Sequence, residues 1–227
     1  MAGEVFSKLI TSVNPKIMNA SSRNGIKIDR IIIHHNATTN KDVAMNTWVK
    51  GGPAGTSAHY ECTPDEIIGC VGEQYAAWHA GGTGGSDIPK ISNPNQRSIG
   101  IENVNSSGAP NWSVDKRTIR NCAKLVADIC KRYNIPLDRQ HVLGHNEVTA
   151  TACPGGINVD EVVRLAKEYS KGSIGSIQRI KMGHFPDCWL VSADQRCASF
   201  KLWFCFLERS RNRKRNWSLS VERYRKK

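Results

Sequence analysis

The chain has 227 residues, of which 39% are hydrophobic and 23% are charged, a composition typical of a globular protein with a hydrophobic core. It contains no run approaching the roughly 20 consecutive apolar residues that cross a bilayer, which excludes a membrane-spanning helix. Residues 1–12 place Glu4 ahead of any basic residue and lack a long apolar run, so we expect no secretory signal.

The net charge of +12 is distributed unevenly along the chain. Residues 1–170 contain 18 Lys and Arg against 16 Asp and Glu, whereas residues 171–227 contain 14 against 4. The pattern predicts a nearly neutral domain at 1–170, a Gly- and Ser-containing linker at 171–176 and a basic, aromatic-containing tail at 177–227. Such a tail attracts polyanions, and a solvated, partly unfolded or degenerate end is the alternative.

Apolar runs and turn residues in the first half of the chain predict five strands and one helix. The strands are expected at 28–34, 57–62, 66–71, 75–79 and 98–105. The second and third form a hairpin through Thr63, Pro64 and Asp65. A helix at 40–50 is expected to place four residues on one side: Val43, Ala44, Thr47 and Trp48. The Gly-, Ser- and Pro-rich segment 81–96 predicts a loop.

The second half of the chain contains the strongest helical pattern, at 115–133. Its apolar positions repeat at three- and four-residue steps: Ile119, Cys122, Val126, Ile129 and Tyr133. A short extended segment at 142–145 and an amphipathic helix at 159–170 follow. The alternation of strands and helices predicts a mixed α/β domain, with a central sheet flanked by helices.

The eight cysteines contain no CxxC pair, which argues against a structural zinc knuckle. Cys122 and Cys130 lie about 12 Å apart along one predicted helix, too far for a disulfide. Cys62 and Cys70 belong to the two strands of the predicted hairpin, which leaves a bridge between them open. For most of these cysteines we expect buried, reduced thiols.

His34, His145 and Cys153 have the chemistry of metal ligands. The two histidines follow predicted strands, whose rigid ends suit ligands, and Cys153 follows His145 after eight residues. Two imidazoles and a thiolate would give zinc three protein ligands and an open fourth position, the arrangement of a catalytic site. Spacing alone does not establish a metal site, because a single histidine is more commonly a hydrogen-bonded core residue.

Five segments occur in the order that characterises one known family. They read IIIHHNAT at 31–38, SAHY at 57–60, AWHAG at 77–81, RSIGIE at 97–102 and GHNEVTATACPG at 144–155. In these segments the chain resembles the type 2 N-acetylmuramoyl-L-alanine amidases, a family that includes phage endolysins and animal peptidoglycan recognition proteins. The likeness covers about residues 25–170.

The resemblance implies that His34, His145 and Cys153 bind Zn²⁺. In the family, the first ligand stands three positions before a small residue, here Ala37, which selects His34 over the adjacent His35. Strand alternation agrees that the two histidines face opposite sides, so we expect a packing or supporting role for His35.

Four further residues receive expected roles from the resemblance. Glu102 is the expected general base. His79 is expected to line the cleft. There it either donates a hydrogen bond to the substrate carbonyl or oxyanion, or lines the wall without contacting these atoms. We expect Trp78 to belong to the core rather than to a sugar platform, and His59 to be a sheet-core residue.

Two positions depart from the pattern of some family members. Ala58 stands where these have a tyrosine, and Thr151 stands where these have a lysine, which removes two polar groups from the expected site. The departures place more weight on Glu102 and His79. Family members that only bind glycan peptides commonly lack the metal thiolate, so Cys153 favours an enzyme.

The resemblance therefore implies a zinc amidase of a phage or prophage endolysin, acting on bacterial peptidoglycan. We expect a monomer whose tail contacts anionic wall polymers, and which stays in the host cytoplasm until another protein opens the membrane. One alternative is a peptidoglycan-binding module without turnover. A nucleic-acid-binding protein is suggested only by the tail, since residues 1–170 contain no recognised nucleic-acid motif.

Overall fold

The structure is a computed structural model that describes residues 3–81 and 90–172 and, as backbone only, residues 188–190 and 203–205. The chain divides into two compact units, Met1–Lys171 and Gly172–Lys227. The first is a mixed α/β fold whose central sheet is flanked by helices, as the sequence predicts. Within the described residues, no helix combines the length and apolar character needed to cross a bilayer.

A six-stranded mixed sheet forms the centre of the first unit. The strands of this unit are β1 (Ser12–Val13), β2 (Ala20–Ser22), β3 (Arg30–Ile33), β4 (Tyr60–Cys62), β5 (Ile67–Gly69), β6 (Tyr75–Ala77), β7 (Ser98–Asn103) and β8 (Val142–Gly144). The sheet order is β1-β5-β4-β7-β3-β8, and only the predicted hairpin β4–β5 is antiparallel. The predicted strand β6 pairs instead with β2, outside this sheet.

In the described part of the first unit, five helices flank the sheet. They are α1 (Lys41–Thr47), α2 (Pro94–Arg97), α3 (Lys116–Tyr133), α4 (His145–Val148) and α5 (Val159–Ser170). The α3 helix begins where Asp115 accepts the Arg117 N–H and ends at Asn134, whose φ of 54° is left-handed. The α3 and α5 helices match the helices predicted at 115–133 and 159–170. The short helix α2 overlaps the end of the segment 81–96, which the sequence predicts to be a loop.

The predicted inward face of α1 is partly wrong. Ala44 and Trp48 are buried as expected, but Val43 is 53% exposed and Thr47 is also exposed. Met45 is buried in their place, at 5% exposure. The reason is that the apolar neighbours of this helix lie on the Met45 side, where Ala44, Met45 and Trp48 join one buried cluster.

The core is densest along β3 and β7. Ile31, Ile32 and Ile33 have no exposed surface, and neither do Ile99 and Ile101 on the neighbouring strand. A parallel strand covered on both faces requires such a continuous apolar run. Burial of each isoleucine contributes about 1.5–3 kcal/mol to the free energy of unfolding, relative to an exposed side chain. This packing holds the ends of β3 and β7 in place.

Among the cysteines whose side chains the structure describes, four lie outside the predicted metal site and are free, buried thiols: Cys62, Cys70, Cys122 and Cys130. The hairpin register explains why the first two do not bridge, since Cys62 pairs with Ile67 and the Cys70 N–H donates to the carbonyl of His59. This excludes the disulfide that the sequence left open.

In the second unit, β9 (Cys188–Leu190) and β10 (Trp203–Cys205) form an antiparallel pair, with Trp203 opposite Leu190. Most of the predicted linker at 171–176 and of the basic tail at 177–227 lies outside the described residues. The wall-binding role of that tail stays a prediction.

Candidate metal centre and active site

The three predicted ligands meet at one edge of the sheet. His34 directly follows β3, and His145 is the first residue of α4, directly after β8. These two strands are parallel neighbours, so their carboxyl ends lie at the same edge, where ligands bind in sheets of this kind. Donor atoms of His34, His145 and Cys153 lie within 4.8 Å of one another, and the His34 Nδ1 is 3.6 Å from the Cys153 Sγ.

The chemistry of these donors fits a zinc ion. Burial, followed by the nearby imidazoles, lowers the pKa of His34 well below its usual value, so the ring is neutral and has a lone pair to offer. Burial and then the charge of Glu102 raise the pKa of the Cys153 thiol. A cation within reach reverses that effect and favours the thiolate. Two imidazoles and one thiolate suit Zn²⁺ with one position open.

Backbone hydrogen bonds hold the turn that presents His145 and Cys153. The Glu147 carboxylate accepts the Gly144 N–H at 2.7 Å, which satisfies the backbone donor at the start of α4. The Asn146 N–H donates to the Cys153 carbonyl at 2.8 Å. Gly155 has a φ of 63°, and a Cβ there would lie 2.7 Å from the His35 ring, so the turn after Cys153 requires glycine.

His79 lies behind His34, on the side away from the thiol. The Nδ1 of His79 is 3.0 Å from the His34 Nε2, and its Nε2 is 3.2 Å from the Ser98 Oγ. The ring is 7% exposed and rests on Gly100, where an added Cβ would lie 2.4 Å away. His79 lines the cleft, as the resemblance implies, and both of its ring nitrogens contact protein groups. A hydrogen bond from His79 to a substrate oxyanion stays a prediction.

His59 is the core residue that the sequence predicts. It is fully buried, its Nδ1 accepts the Gly100 N–H at 3.0 Å, and its Nε2 is 3.0 Å from the Tyr75 carbonyl. Burial and then the Arg23 charge lower the pKa of His59 to about 3, so the ring is neutral. It ties β4 to β7 beneath the site.

Glu102 lines the same cleft as the three ligands. It lies near the carboxyl end of β7, and burial raises the pKa of its side chain to about 8. Glu61 stands beside it at the paired position of β4, where the Asn36 amide donates to Glu61 Oε1 at 2.8 Å. A carboxylate with raised proton affinity beside a metal site is suited to accept a proton.

The cleft has a volume of about 420 Å³ and tryptophan side chains on its walls. Trp78 is 38% exposed and lines the cleft, so its predicted place in the core is wrong. The reason is that Trp78 follows β6, which pairs with β2 outside the central sheet. Trp48 and Trp112 also line it, and the Trp112 ring packs edge-on against His35 at 5.5 Å.

Comparison with known proteins decides the family. The profile of the N-acetylmuramoyl-L-alanine amidase family matches residues 24–156. The chain belongs to this amidase family. It is 28% identical over 148 residues to the N-acetylmuramoyl-L-alanine amidase CwlL of Bacillus licheniformis, covering 60% of this chain and 39% of that protein. The chain thus spans well under half the length of this relative.

Two solved structures share the amidase fold. The hydrolase AmiA of Staphylococcus aureus, solved with its ligand, superposes with a TM-score of 0.52 at 16% identity, covering 75% of this chain and 89% of that one. The catalytic domain of PlyG superposes with a TM-score of 0.51 at 18% identity, covering 75% and 97%. At these identities the likeness concerns the fold.

Several residues of the site carry no signal in the sequence. Trp112 lies in an irregular segment and lines the cleft, and no periodic signal marks it. Glu61 reads as an ordinary residue of a hairpin strand until the register places it beside Glu102. Ser98 belongs to the segment RSIGIE at 97–102, but only the structure shows its contact with His79.

Proposed function

We propose that the chain is a zinc-dependent N-acetylmuramoyl-L-alanine amidase, which hydrolyses the amide bond between N-acetylmuramic acid and L-alanine in peptidoglycan. The observation that carries the proposal is the convergence of His34, His145 and Cys153 on one point of a cleft that Glu102 also lines. Membership of the amidase family supports the choice of this amide bond as the one that is hydrolysed. Retention of the thiol supports turnover over binding alone.

The chain's residues divide the chemistry between them. His34, His145 and Cys153 would hold the ion, which would supply Lewis-acid polarisation of the scissile carbonyl and make water more acidic at neutral pH. The Glu102 carboxylate accepts a proton from the attacking water and delivers it to the departing L-alanine nitrogen. The buried surroundings that raise the pKa of Glu102 favour holding this proton between the two transfers.

Thr151 is the cleft residue that best replaces the polar groups missing from the site. Its Oγ1 accepts the Cys153 N–H at 3.2 Å, which orients the side chain and leaves the hydroxyl proton to donate. We assign it the role of hydrogen-bond donor to the substrate oxyanion. Ala58 is buried in the core at 1% exposure and offers no side-chain polar group for that task.

The biological setting follows from the resemblance and the charge pattern. We propose a phage or prophage endolysin that acts on the wall as a monomer after release from the host cytoplasm. The excess of Lys and Arg in residues 171–227 supports contact of the tail with anionic wall polymers.

Product analysis tests this function directly. Purified cell walls digested with the full-length chain are expected to gain free L-alanine amino groups, without new sugar reducing ends. The Glu102→Gln variant, which preserves size and shape, is the matched control and should release few amino groups. Binding to walls without any release of L-alanine ends would instead identify a binding module.

A further inference from the structure

We propose that Ser98 and His79 form a hydrogen-bonded relay that fixes the tautomer of His34, so that its Nδ1 presents a lone pair to the metal centre. The inference rests on the proposed zinc site and gives His79 a positioning role. It depends on the direction of three successive hydrogen bonds, each of which constrains the next.

The first constraint is at Ser98. Its hydroxyl is fully buried and donates to the Pro94 carbonyl at 2.5 Å. A hydroxyl has one proton, so toward the His79 Nε2 at 3.2 Å the Ser98 Oγ can only accept. The proton of the neutral His79 ring therefore resides on Nε2.

The second constraint passes from His79 to His34. With its proton on Nε2, the neutral His79 ring has a bare Nδ1, which accepts from the His34 Nε2 at 3.0 Å. The proton of His34 is then on Nε2, and its Nδ1 is bare. That atom is the one that faces the Cys153 Sγ at 3.6 Å. The opposite tautomer would direct an N–H at the metal position and prevent coordination.

The relay is anchored to rigid backbone. The N–H groups of His79 and Ala80 both donate to the Asn95 side chain, at 3.0 and 2.8 Å. The buried Arg23 guanidinium donates to the Ser98 carbonyl at 3.1 Å. The orientation of the His34 ring is thus set by groups that do not touch the metal position. Partners of this kind typically change metal affinity by about 10- to 100-fold when mutated.

Zinc affinity of the full-length chain, measured by competition with a chromogenic chelator, tests the relay with a readout other than turnover. His79→Leu is expected to weaken zinc binding about 10- to 100-fold, and Ser98→Ala to weaken it in the same direction. His79→Gln supplies an amide oxygen to His34 and should recover most of the affinity. Ser7→Ala, at a serine that is 1% exposed and outside the relay, is the matched control.

Nitrogen NMR of the chelator-treated full-length chain reads the tautomers directly. The expected result is a proton on Nε2 in both His34 and His79. A proton on His34 Nδ1, or unchanged zinc affinity in folded His79→Leu and Ser98→Ala proteins, would overturn the relay. Failure of the zinc site itself is distinguishable, because the wild-type chain would then bind no zinc whereas the NMR assignment would still report on the relay.

Discussion

Glu61 and Glu102 occupy paired positions on the adjacent parallel strands β4 and β7, at the edge of the proposed metal centre. Burial, and then the charge of Glu102, raise the pKa of Glu61 well above its usual value. Two neighbouring buried carboxyls do not readily ionise together, so Glu61 keeps its proton while Glu102 gives up its own. Glu61 is therefore the neutral neighbour, and Glu102 is the base.

This division predicts unequal effects of the same substitution at the two positions. Glu102→Gln should lower kcat/KM for L-alanine release by about 10²- to 10⁴-fold, the usual contribution of a general base. Glu61→Gln replaces a neutral acid by a neutral amide and should change kcat/KM by only a few fold. Equal losses in the two folded variants would contradict the assignment of the base.

The pH dependence of turnover should follow the ionisation of Glu102. Only the carboxylate form accepts a proton, so kcat/KM is expected to fall as pH decreases through the pKa of this group. Burial raises that pKa to about 8, and a bound cation lowers it. The acid limb of the kcat/KM profile should therefore lie below pH 8, and an activity that rises toward low pH would speak against Glu102.

Buried neutral histidines make the fold sensitive to acid. The pKa of His59 is lowered to about 3 by burial and then by Arg23, and burial also lowers the pKa values of His34 and His79. Between pH 6.5 and 3 the unfolded chain binds protons that the folded chain does not. The free energy of unfolding therefore falls as pH decreases, by about 1.4 kcal/mol per pH unit from His59 over this range, and His34 and His79 contribute in the same direction.

Urea denaturation of the chelator-treated chain between pH 7 and pH 4 measures this slope. The His59→Gln variant, which keeps an acceptor for the Gly100 N–H but does not titrate, should be less stable at pH 7 and show a shallower slope. The same slope in the variant and the wild-type chain would show that His59 is not the buried neutral group proposed here.

Thr151 should contribute to the rate rather than to binding. Thr151→Val keeps the shape of the side chain and removes its hydroxyl, so kcat is expected to fall by about 10²- to 10³-fold, as for loss of an oxyanion donor. Thr151→Ser retains the hydroxyl and should preserve most of kcat. Steady-state kinetics on a soluble muropeptide separate kcat from KM, and an effect confined to KM would rule out this role.

Local sequence patterns predicted the elements that bury large continuous surfaces. The isoleucine run of β3 and the periodic apolar positions of α3 and α5 locate these elements within a few residues. The resemblance to the amidase family identified His34, His145 and Cys153 as the metal ligands. The parallel pairing of β3 with β8 brings the two histidines together, although 111 residues of chain separate them.

Features that depend on distant pairing were not predictable in the same way. The strands β1 and β2 contain two and three residues, too few for a periodic signal. Trp78 is read as core from its apolar character, but its exposure depends on which strand β6 pairs with. The contact between Ser98 and His79 depends on register and on the turn at α2, which local periodicity does not encode.

Metal content measured together with L-alanine release tests the central claim most directly. The full-length chain and Glu102→Gln are expected to bind about one zinc per chain, whereas Cys153→Ala should bind far less. Chelation should abolish L-alanine release by the full-length chain, and added zinc should restore it. Undiminished L-alanine release from a chain whose metal has been verifiably removed would contradict the account.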